Sequence, residues 1–291
     1  MHVFVTGATG WVGSALIDDL LAAGHRVTGL ARSTDKAAPL TAKGARIHAG
    51  SLDDLELLRT TASAVDAVVH TAFNHDWARF AESAAQDERA IMALGDALSG
   101  SNKPLLVTSG LSDIVSGRLA TEDDRPNPSS MRRSEAAAQA LAERGVKAAT
   151  IRLAPSVHGV GETHGFIPIL INLARKTGVS AYVGKGENRW AGVYRHDAAH
   201  LFRQVLESGA GAPVFHAVAD EGVLFRQIAE VIGAQLGVPV EARGSEHFGG
   251  FARMVGGDMA ATSAKTRAAT GWEPTGPGLL TDLADPGYYA R

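Results

Sequence analysis

Residues 2–16 read HVFVTGATGWVGSAL and contain the stretch that decides the fold. A short apolar run predicts a strand, glycines follow at positions 7, 10 and 13, and an apolar helical pattern begins directly after them. Gly7 and Gly10 permit a tight turn and a close approach of the backbone to a diphosphate, and Gly13 lets the helix lie against the strand. The free N–H groups at the helix start would face the anion. The stretch therefore predicts a dinucleotide-binding turn rather than an ordinary glycine-rich turn.

The alternation of strand and helix continues through the first half of the chain. Amphipathic helical stretches at 14–24 and 90–98 lie between apolar runs, which predict strands at 2–6, 26–31, 45–49, 67–72, 104–109 and 148–154. Continuously apolar runs are typical of parallel strands that are buried on both faces. The sequence therefore predicts an α/β fold, a Rossmann-type doubly wound parallel sheet.

Glycine and proline occur more often after residue 155. The pattern predicts loops at 158–166 and 184–192, a strand at 212–218, and helices at 167–177, 197–208 and 223–236. We predict a dinucleotide-binding domain over 1–155, to which 193–218 returns. A smaller substrate-binding region would then be formed by 156–192 and 219–291.

The composition narrows the class of protein. The 291 residues are 45% hydrophobic and 20% charged, which is typical of a soluble globular chain. A net charge of −3 gives no reason to expect a nucleic-acid or membrane partner. The chain has no cysteine, so disulfides and thiolate chemistry are excluded. The set His196, Asp197 and His200 suggests metal ligands but lacks a supporting carboxylate pattern, so we predict no metal site. With no signal peptide and no apolar run of roughly 20 residues, we expect a cytoplasmic protein with a small-molecule substrate.

The end of the second predicted strand bears on the choice of cofactor. An acidic residue there would bind the ribose hydroxyls, as NAD requires, but the chain has Arg32, Ser33 and Thr34. A guanidinium beside hydroxyls suits a 2′-phosphate, because arginine can donate two parallel hydrogen bonds to phosphate. The sequence therefore predicts NADP(H) over NAD(H). The simpler alternative is that these residues begin a solvated basic loop.

The stretch TGATGWVG (6–13) closely resembles the extended short-chain dehydrogenase/reductase superfamily, which includes sugar epimerases, dehydratases and hydroxysteroid dehydrogenases. The stretches GSLDD (50–54), LLVTSG (105–110), RLAPSVHG (152–159) and VYRHDAAHL (193–201) are similar to later motifs of that family, in the same order. The resemblance implies a nicotinamide dinucleotide held by Thr6, Gly7, Gly10, Trp11, Val12, Gly13, Arg32, Ser33, Ser51, Leu52, Thr71, Ala72, Phe73, Thr108 and Pro155.

The stretch MRRSEAAAQAL (131–141) departs from the family pattern. The family carries Tyr-x-x-x-Lys here, and its lysine lowers the pKa of the tyrosine that exchanges a proton with substrate. Met131 and Glu135 stand at those two positions. Methionine has no proton to give, and a glutamate would raise the pKa of a nearby acid. The resemblance thus implies an atypical member without the usual proton donor.

Other side chains are candidates to replace that donor. Ser109 occupies the position at which a hydroxyl polarises a carbonyl in relatives, and His158 and His164 are general acids suited to neutral pH. Tyr194 carries a phenol in the later motif. Each has a simpler alternative, namely a turn serine, surface histidines and a packed tyrosine ring. The stretch FNHDW (73–77) lies at the expected cleft edge, where Asp76 could also simply cap the next helix.

The sequence predicts an NADP(H)-dependent oxidoreductase that reduces a carbonyl or oxidises an alcohol on a small organic substrate. Two alternatives stay open. One is an NADP(H)-binding redox sensor without catalysis, in the manner of NmrA-type regulators, which also lose the Tyr/Lys pair. The other is an epimerase- or dehydratase-like enzyme whose nicotinamide cycles internally. The resemblance is also compatible with a homodimer that pairs through two long helices.

Overall fold

The computed structural model describes residues 1–112 and 114–290. In chain order its strands are β1 (His2–Thr6), β2 (Arg26–Ala31), β3 (Arg46–Ala49), β4 (Ala67–His70), β5 (Leu105–Gly110), β6 (Ala148–Leu153), β7 (Ser156–His158), β8 (Ser180–Val183), β9 (Arg189–Tyr194), β10 (Val214–Ala217), β11 (Asp220–Leu224) and β12 (Val240–Arg243). Its helices are α1 (Trp11–Ala22), α2 (Thr34–Ala42), α3 (Leu55–Ser63), α4 (Phe80–Leu98), α5 (Ser134–Glu143), α6 (Phe166–Thr177), α7 (Arg195–Glu207), α8 (Phe225–Leu236), α9 (Ala252–Val255), α10 (Ala264–Thr270) and α11 (Leu279–Leu283). Residue 291, the last of the predicted substrate-binding region, lies outside the described residues.

One large sheet confirms the predicted fold class. Its seven strands follow the order β10-β6-β5-β4-β1-β2-β3, and every neighbouring pair is parallel. The strands predicted in the first half of the chain all lie in this sheet. Helices cover both of its faces, as the crossover connections between parallel strands require.

Successive residues of β1 face opposite sides of the sheet. Val3 and Val5 belong to a core that they share with α1 and α7, whereas Phe4 belongs to a second core with α4 and α5. All three side chains are fully buried, and burying each contributes roughly 1.5–3 kcal/mol. This burial on two faces explains why the strands read as uninterrupted apolar runs.

The rest of the chain builds smaller sheets beside the large one. Strands β7, β9 and β11 form a three-stranded sheet, and β8 pairs with β12. A third core, which includes Ile167, Trp190 and Phe225, lies between these strands, α6 and α8. Between the small strands the chain returns to the large sheet, where α7 packs against α1 and β10 pairs with β6.

Two predicted boundaries in this part of the chain are wrong. The predicted loop at 184–192 contains the start of β9, because Trp190 is fully buried and pairs with Val223 of β11. The helix predicted at 223–236 begins only at Phe225, because the preceding residues form β11. Both strands are held by partners distant in sequence, which no local pattern reveals.

Candidate functional site

The glycine-rich turn that joins β1 to α1 is closely packed. Gly7 has a φ of +68°, a conformation that favours glycine, and its carbonyl accepts a 2.9 Å hydrogen bond from the N–H of Gly10. A Cβ added at Gly13 would lie 2.2 Å from the carbonyl oxygen of Gly7. The first turn of α1 therefore lies directly on the glycine turn, and its free N–H groups fit a bound diphosphate.

Predicted cofactor residues around this turn bond mainly to one another. The hydroxyl of Thr71 donates to the carbonyl of Thr6 at 2.7 Å, and the backbone of Ala72 would meet any side chain at Gly7. The hydroxyl of Thr6 is itself fully buried, and Val12 packs against the core of α1 and α7. Their side chains hold the shape of the turn, which leaves the backbone to face a ligand.

Trp11 links the turn to the small sheet. Its indole N–H donates to the carbonyl of Val157 in β7 at 2.7 Å, and the guanidinium of Arg195 lies 4.1 Å over its ring. Arg195 also donates to the hydroxyl of Ser14 at 2.7 Å. Burial lowers the pKa of Arg195, yet an arginine stays charged in proteins. The turn therefore carries a positive charge beside the helix N-terminus.

The side chain of Arg32 is exposed where β2 gives way to α2. Ser33 caps α2, its hydroxyl accepting from the N–H of Lys36 at 3.4 Å. On the next loop the hydroxyl and N–H of Ser51 both donate to Asp54, and Leu52 is 9% exposed. A helix N-terminus beside an exposed guanidinium fits a phosphate group.

A buried chain of hydrogen bonds leads from the glycine turn to the carboxyl end of β5. The hydroxyl of Thr6 lies 2.9 Å from Nδ1 of His70, whose Nε2 donates to Asp87 at 2.9 Å. The other oxygen of Asp87 accepts from the hydroxyl of Ser134 at 2.5 Å. Burial on its own would raise the pKa of Asp87, but the bonds from His70 and Ser134 and the charge of Arg132 lower it overall.

Arg132 ends this chain and borders the cleft. Its Nε donates to Ser134 at 3.0 Å, its Nη2 donates to the carbonyl of Thr108 at 3.1 Å, and its guanidinium lies 4.4 Å over the ring of Phe73. Desolvation lowers its pKa, and Asp87 opposes that shift. Within the described part of the chain, its Nη1 has no hydrogen-bond acceptor. A charged, partly exposed donor is thus held at the end of β5.

The predicted residues of β5 and β6 border the same place. Ser109 directly follows Thr108 and is partly exposed. The hydroxyl of Thr108 is buried, and no described residue bonds to it. Pro155, just beyond the end of β6, is also partly exposed. These polar groups lie where parallel sheets commonly bind their ligands.

The two positions expected to carry the Tyr/Lys pair point away from each other. Met131 is 57% exposed, whereas Glu135 is buried and receives bonds of 2.8 and 2.6 Å from Arg152. Arg152 is fully buried and also bonds to His216 and to the carbonyl of Asp124. Glu135 therefore neutralises a core arginine.

Aromatic rings form one wall beside Arg132. Phe73 contacts His75 and Phe80, with ring centroids 5.1 and 5.6 Å away, and Trp77 stacks on Phe80 at 5.6 Å with an angle of 4°. Asp76 caps the 3-10 turn Trp77–Arg79 by accepting from the N–H of Ala78 at 3.1 Å. The capping alternative for Asp76 is therefore confirmed.

The small region supplies the facing aromatic rings. Phe166, the first residue of α6, lies 6.5 Å from Trp77, 5.2 Å from Phe251 and 5.8 Å from Trp190 between ring centroids. In the segment 248–263, Phe248, Val255 and Met259 are buried, which agrees with the core-packing alternative, and Phe251 is partly exposed. The rings of the stretch 73–80 and those of the small region thus form one continuous aromatic cluster.

The structure does not gather the predicted acids at Arg132. His158 is fully buried, bonds to Asp282 at 2.8 Å through Nδ1, and has its ring 6.1 Å from that of Tyr194. His164 is exposed near the start of α6, where it contacts the hydroxyl of Thr163 at 2.6 Å. Only His164, of these three, has its imidazole or phenol largely open to solvent.

The loop after His158 is fixed by a buried acid. The hydroxyl of Tyr288 donates to Glu162, and the N–H of Gly159 donates to that hydroxyl at 3.2 Å. Burial raises the pKa of Glu162 to about 8. The C-terminal segment therefore anchors this loop against β7.

In the ranges 1–112 and 114–290 no group of three histidine, cysteine or carboxylate side chains could hold a metal ion. No helix in the same ranges has both the length and the apolar character needed to cross a membrane.

Sequence reasoning missed Arg132 and His70. Arg132 directly follows Met131, so the family pattern drew attention to its neighbour. His70, at the end of a predicted strand, has the appearance of one more buried strand residue. The available signal was the run of two arginines before Ser134, at the start of a predicted helix.

Comparisons with known proteins agree on family and fold. Residues 3–102 match the model of the NAD dependent epimerase/dehydratase family. The chain is 42% identical to Uncharacterized protein C2A9.02 of Schizosaccharomyces pombe, over 99% of this chain and 100% of the relative. It is 41% identical to Uncharacterized protein YLL056C of Saccharomyces cerevisiae, over 97% and 98% of the two chains.

Solved structures share the architecture at lower identity. Pal from Bacillus thuringiensis superposes with a TM-score of 0.82 at 16% identity, covering 99% of this chain and 98% of that one. The dTDP-glucose 4,6-dehydratase DesIV from Streptomyces venezuelae, with NAD bound, gives 0.77 at 20%, over 99% and 96%. The UDP-glucose 4-epimerase of Thermus thermophilus, also with NAD, gives 0.76 at 20% over both whole chains.

Proposed function

Because this chain belongs to the NAD dependent epimerase/dehydratase family, we propose that it is a nicotinamide-dependent oxidoreductase with Arg132 in place of the usual tyrosine. It would reduce a carbonyl, or oxidise the corresponding alcohol, on a small organic substrate. The observation that carries the proposal is the partly exposed Arg132 guanidinium, anchored at the carboxyl end of β5 by Ser134 and Thr108.

We propose NADP(H) as the cofactor. The turn at Gly7, Gly10 and Gly13 would hold the diphosphate, with Arg195 adding charge. Arg32 and the N-terminus of α2 would hold the 2′-phosphate. NAD-bound neighbours with the same fold support a nicotinamide dinucleotide, whereas the preference for the phosphorylated form rests on Arg32.

Replacing Arg32 by glutamine is expected to weaken NADPH binding at least about tenfold and to leave NADH binding unchanged. The reason is that only NADPH carries the phosphate, and a hydrogen bond to a charged group contributes about 1.5–3 kcal/mol. Calorimetric titration of both nucleotides measures this. Arg26→Gln, at the opposite end of β2, is the matched control. Equal affinities for NADH and NADPH in the unaltered protein would remove Arg32 from this role.

Arg132 would act on the carbonyl oxygen. When bound, the dinucleotide supplies or accepts the hydride. The free Nη1 of Arg132 donates to the oxygen as negative charge develops there, and an arginine held in place beforehand needs no reorganisation during the reaction. Thr108 and Ser134 fix the direction of the guanidinium, and Asp87 keeps it charged.

The proton would reach the oxygen through the hydroxyl of Ser109, which is partly exposed to solvent beside Thr108. His164, whose imidazole is exposed, is the alternative donor. We assign His158 and Tyr194 to packing, because they lie against each other inside the small region.

Arg132→Met is expected to lower kcat/KM by about 10²–10³ with little change in NADPH affinity, because a donor to the developing oxyanion is lost. The measurement is oxidation of NADPH across a panel of aldehydes and ketones. Arg133→Met is the matched control, since the neighbouring Arg133 is half-exposed and lies 3.6 Å from Glu88. Undiminished turnover by Arg132→Met would refute the assignment.

The family match favours one other function equally. An epimerase or dehydratase would convert a nucleotide sugar with no net change in NADPH. Product analysis after incubation with UDP-glucose and dTDP-glucose distinguishes this case. Tight NADPH binding without turnover of either kind would instead support the sensor alternative.

A further inference from the structure

The indole of Trp77 is 56% exposed and yet fixed in orientation. It stacks almost parallel on Phe80, and its edge is limited by Phe166 at 6.5 Å between centroids. A single exposed apolar residue is ordinary on a protein surface. A ring that is held by two other rings beside a charged group is instead typical of a binding cleft, where aromatic side chains line the wall and a few polar groups orient the ligand.

A series of ring contacts leads from the guanidinium of Arg132 to the small region. Arg132 lies on Phe73, Phe73 contacts Phe80, and Phe80 supports Trp77. Beyond Trp77 the contacts pass to Phe166 and so into the small region. A ligand that touches Arg132 at one end would therefore meet aromatic faces along its length.

The carboxylate of the stretch 73–80 is paired with other groups, which leaves Arg132 open to a ligand. Asp76 is the carboxylate of the stretch 73–80, and it is occupied by Ala78 and by Arg79 at 2.9 Å. Among residues 1–112 and 114–290, none accepts a hydrogen bond from Nη1 of Arg132, which leaves this donor for an oxygen of the ligand. The cleft thus combines flat apolar contact with one strong hydrogen-bond donor.

Building on the proposed function, we propose that the substrate is an aromatic or conjugated aldehyde or ketone. Its carbonyl oxygen binds Arg132, and its ring lies against Trp77. The reaction transfers a hydride from NADPH to the carbonyl carbon and a proton from solvent to the oxygen, giving the alcohol and NADP⁺. An aromatic ring gains from offset or edge contacts with these faces, whereas a saturated ring of the same skeleton does not.

Binding of an unreactive pair tests the inference without catalysis. Benzamide and cyclohexanecarboxamide share one skeleton, and neither is reduced as an aldehyde would be. With the full chain saturated with NADPH, ligand-observed NMR is expected to show benzamide binding about fivefold more tightly. Trp77→Leu should reduce that preference to below about twofold, and Trp77→Phe should retain most of it. Leu224→Ala, which removes an exposed side chain of β11, should change neither affinity.

Turnover of two aldehydes separates the aromatic-site proposal from the oxidoreductase proposal. Benzaldehyde should have a several-fold higher kcat/KM than cyclohexanecarbaldehyde, and Trp77→Leu should remove the difference. If benzamide binds selectively but no aldehyde is reduced, the aromatic site stands and the oxidoreductase proposal fails. If both aldehydes are reduced equally, the aromatic site is wrong and the oxidoreductase proposal stands. If Trp77→Leu weakens both amides equally, the aromatic site is wrong whatever the aldehydes show.

Discussion

Replacing Glu135 by lysine is expected to unfold most of the protein, although it supplies the lysine that the family resemblance expects there. Arg152 is fully buried and donates two hydrogen bonds to Glu135. Removing one partner of a buried ion pair costs about 3–5 kcal/mol, and a second buried cation adds repulsion. Such a loss is comparable to the whole stability of many domains. The free energy of urea unfolding measures the effect.

Three further variants test whether the loss of stability comes from the Glu135–Arg152 ion pair. Met131→Tyr alters an exposed side chain and should change stability by no more than about 0.5 kcal/mol. Glu135→Gln keeps the shape and loses the charge, so it should be destabilised less than Glu135→Lys. Exchanging the charges, with Glu135→Lys and Arg152→Glu together, should recover part of the loss. A stable Glu135→Lys single variant would show that this pair does not hold the core.

Gly13→Ala is expected to lower NADPH affinity by more than about a hundredfold. Its methyl group would lie 2.2 Å from the carbonyl oxygen of Gly7, which is backbone and cannot rotate away, and 2.9 Å from the hydroxyl of Thr71. The start of α1 must then shift, and with it the N–H groups that face the diphosphate, each contributing about 1.5–3 kcal/mol. Overpacking should also cost about 1–3 kcal/mol of stability.

Calorimetry and thermal unfolding separate those two effects. Gly211→Ala is the matched control, because an added Cβ there meets nothing within 4 Å and its φ is not in the left-handed region. It should leave affinity and stability unchanged. Wild-type affinity in a folded Gly13→Ala protein would show that the dinucleotide does not use this turn.

The large sheet could be predicted because the sequence patterns that form it are local. Most strands from β1 to β6 are short and largely apolar runs, β3 with Arg46 and His48 being an exposed edge strand. The glycine turn fixes how the first strand meets the first helix. The small region was harder to predict. Strand β9 pairs with β11 and β7, and Trp190 is buried only through those contacts. Such long-range partners leave no periodic pattern in the chain.

The candidate site was predictable at its backbone and less so at its side chains. Gly7 and Gly13 stand where the sequence expects them, since only glycine fits there. The direction of Arg132 depends on Ser134 and on Asp87, which comes from another helix. The burial of His158 likewise depends on Asp282, far along the chain. Partners of this kind decide whether a polar residue faces a ligand or the core.

The place of β10 in the sheet has a consequence for biosynthesis. The ribosome releases β6 well before β10, because residues 154–213 separate the two strands. Until β10 emerges, the outer side of β6 is an unpaired edge able to associate with other nascent chains. On a nascent chain, the sheet therefore stays incomplete until β10 emerges, and chaperone capture would be most useful during that interval.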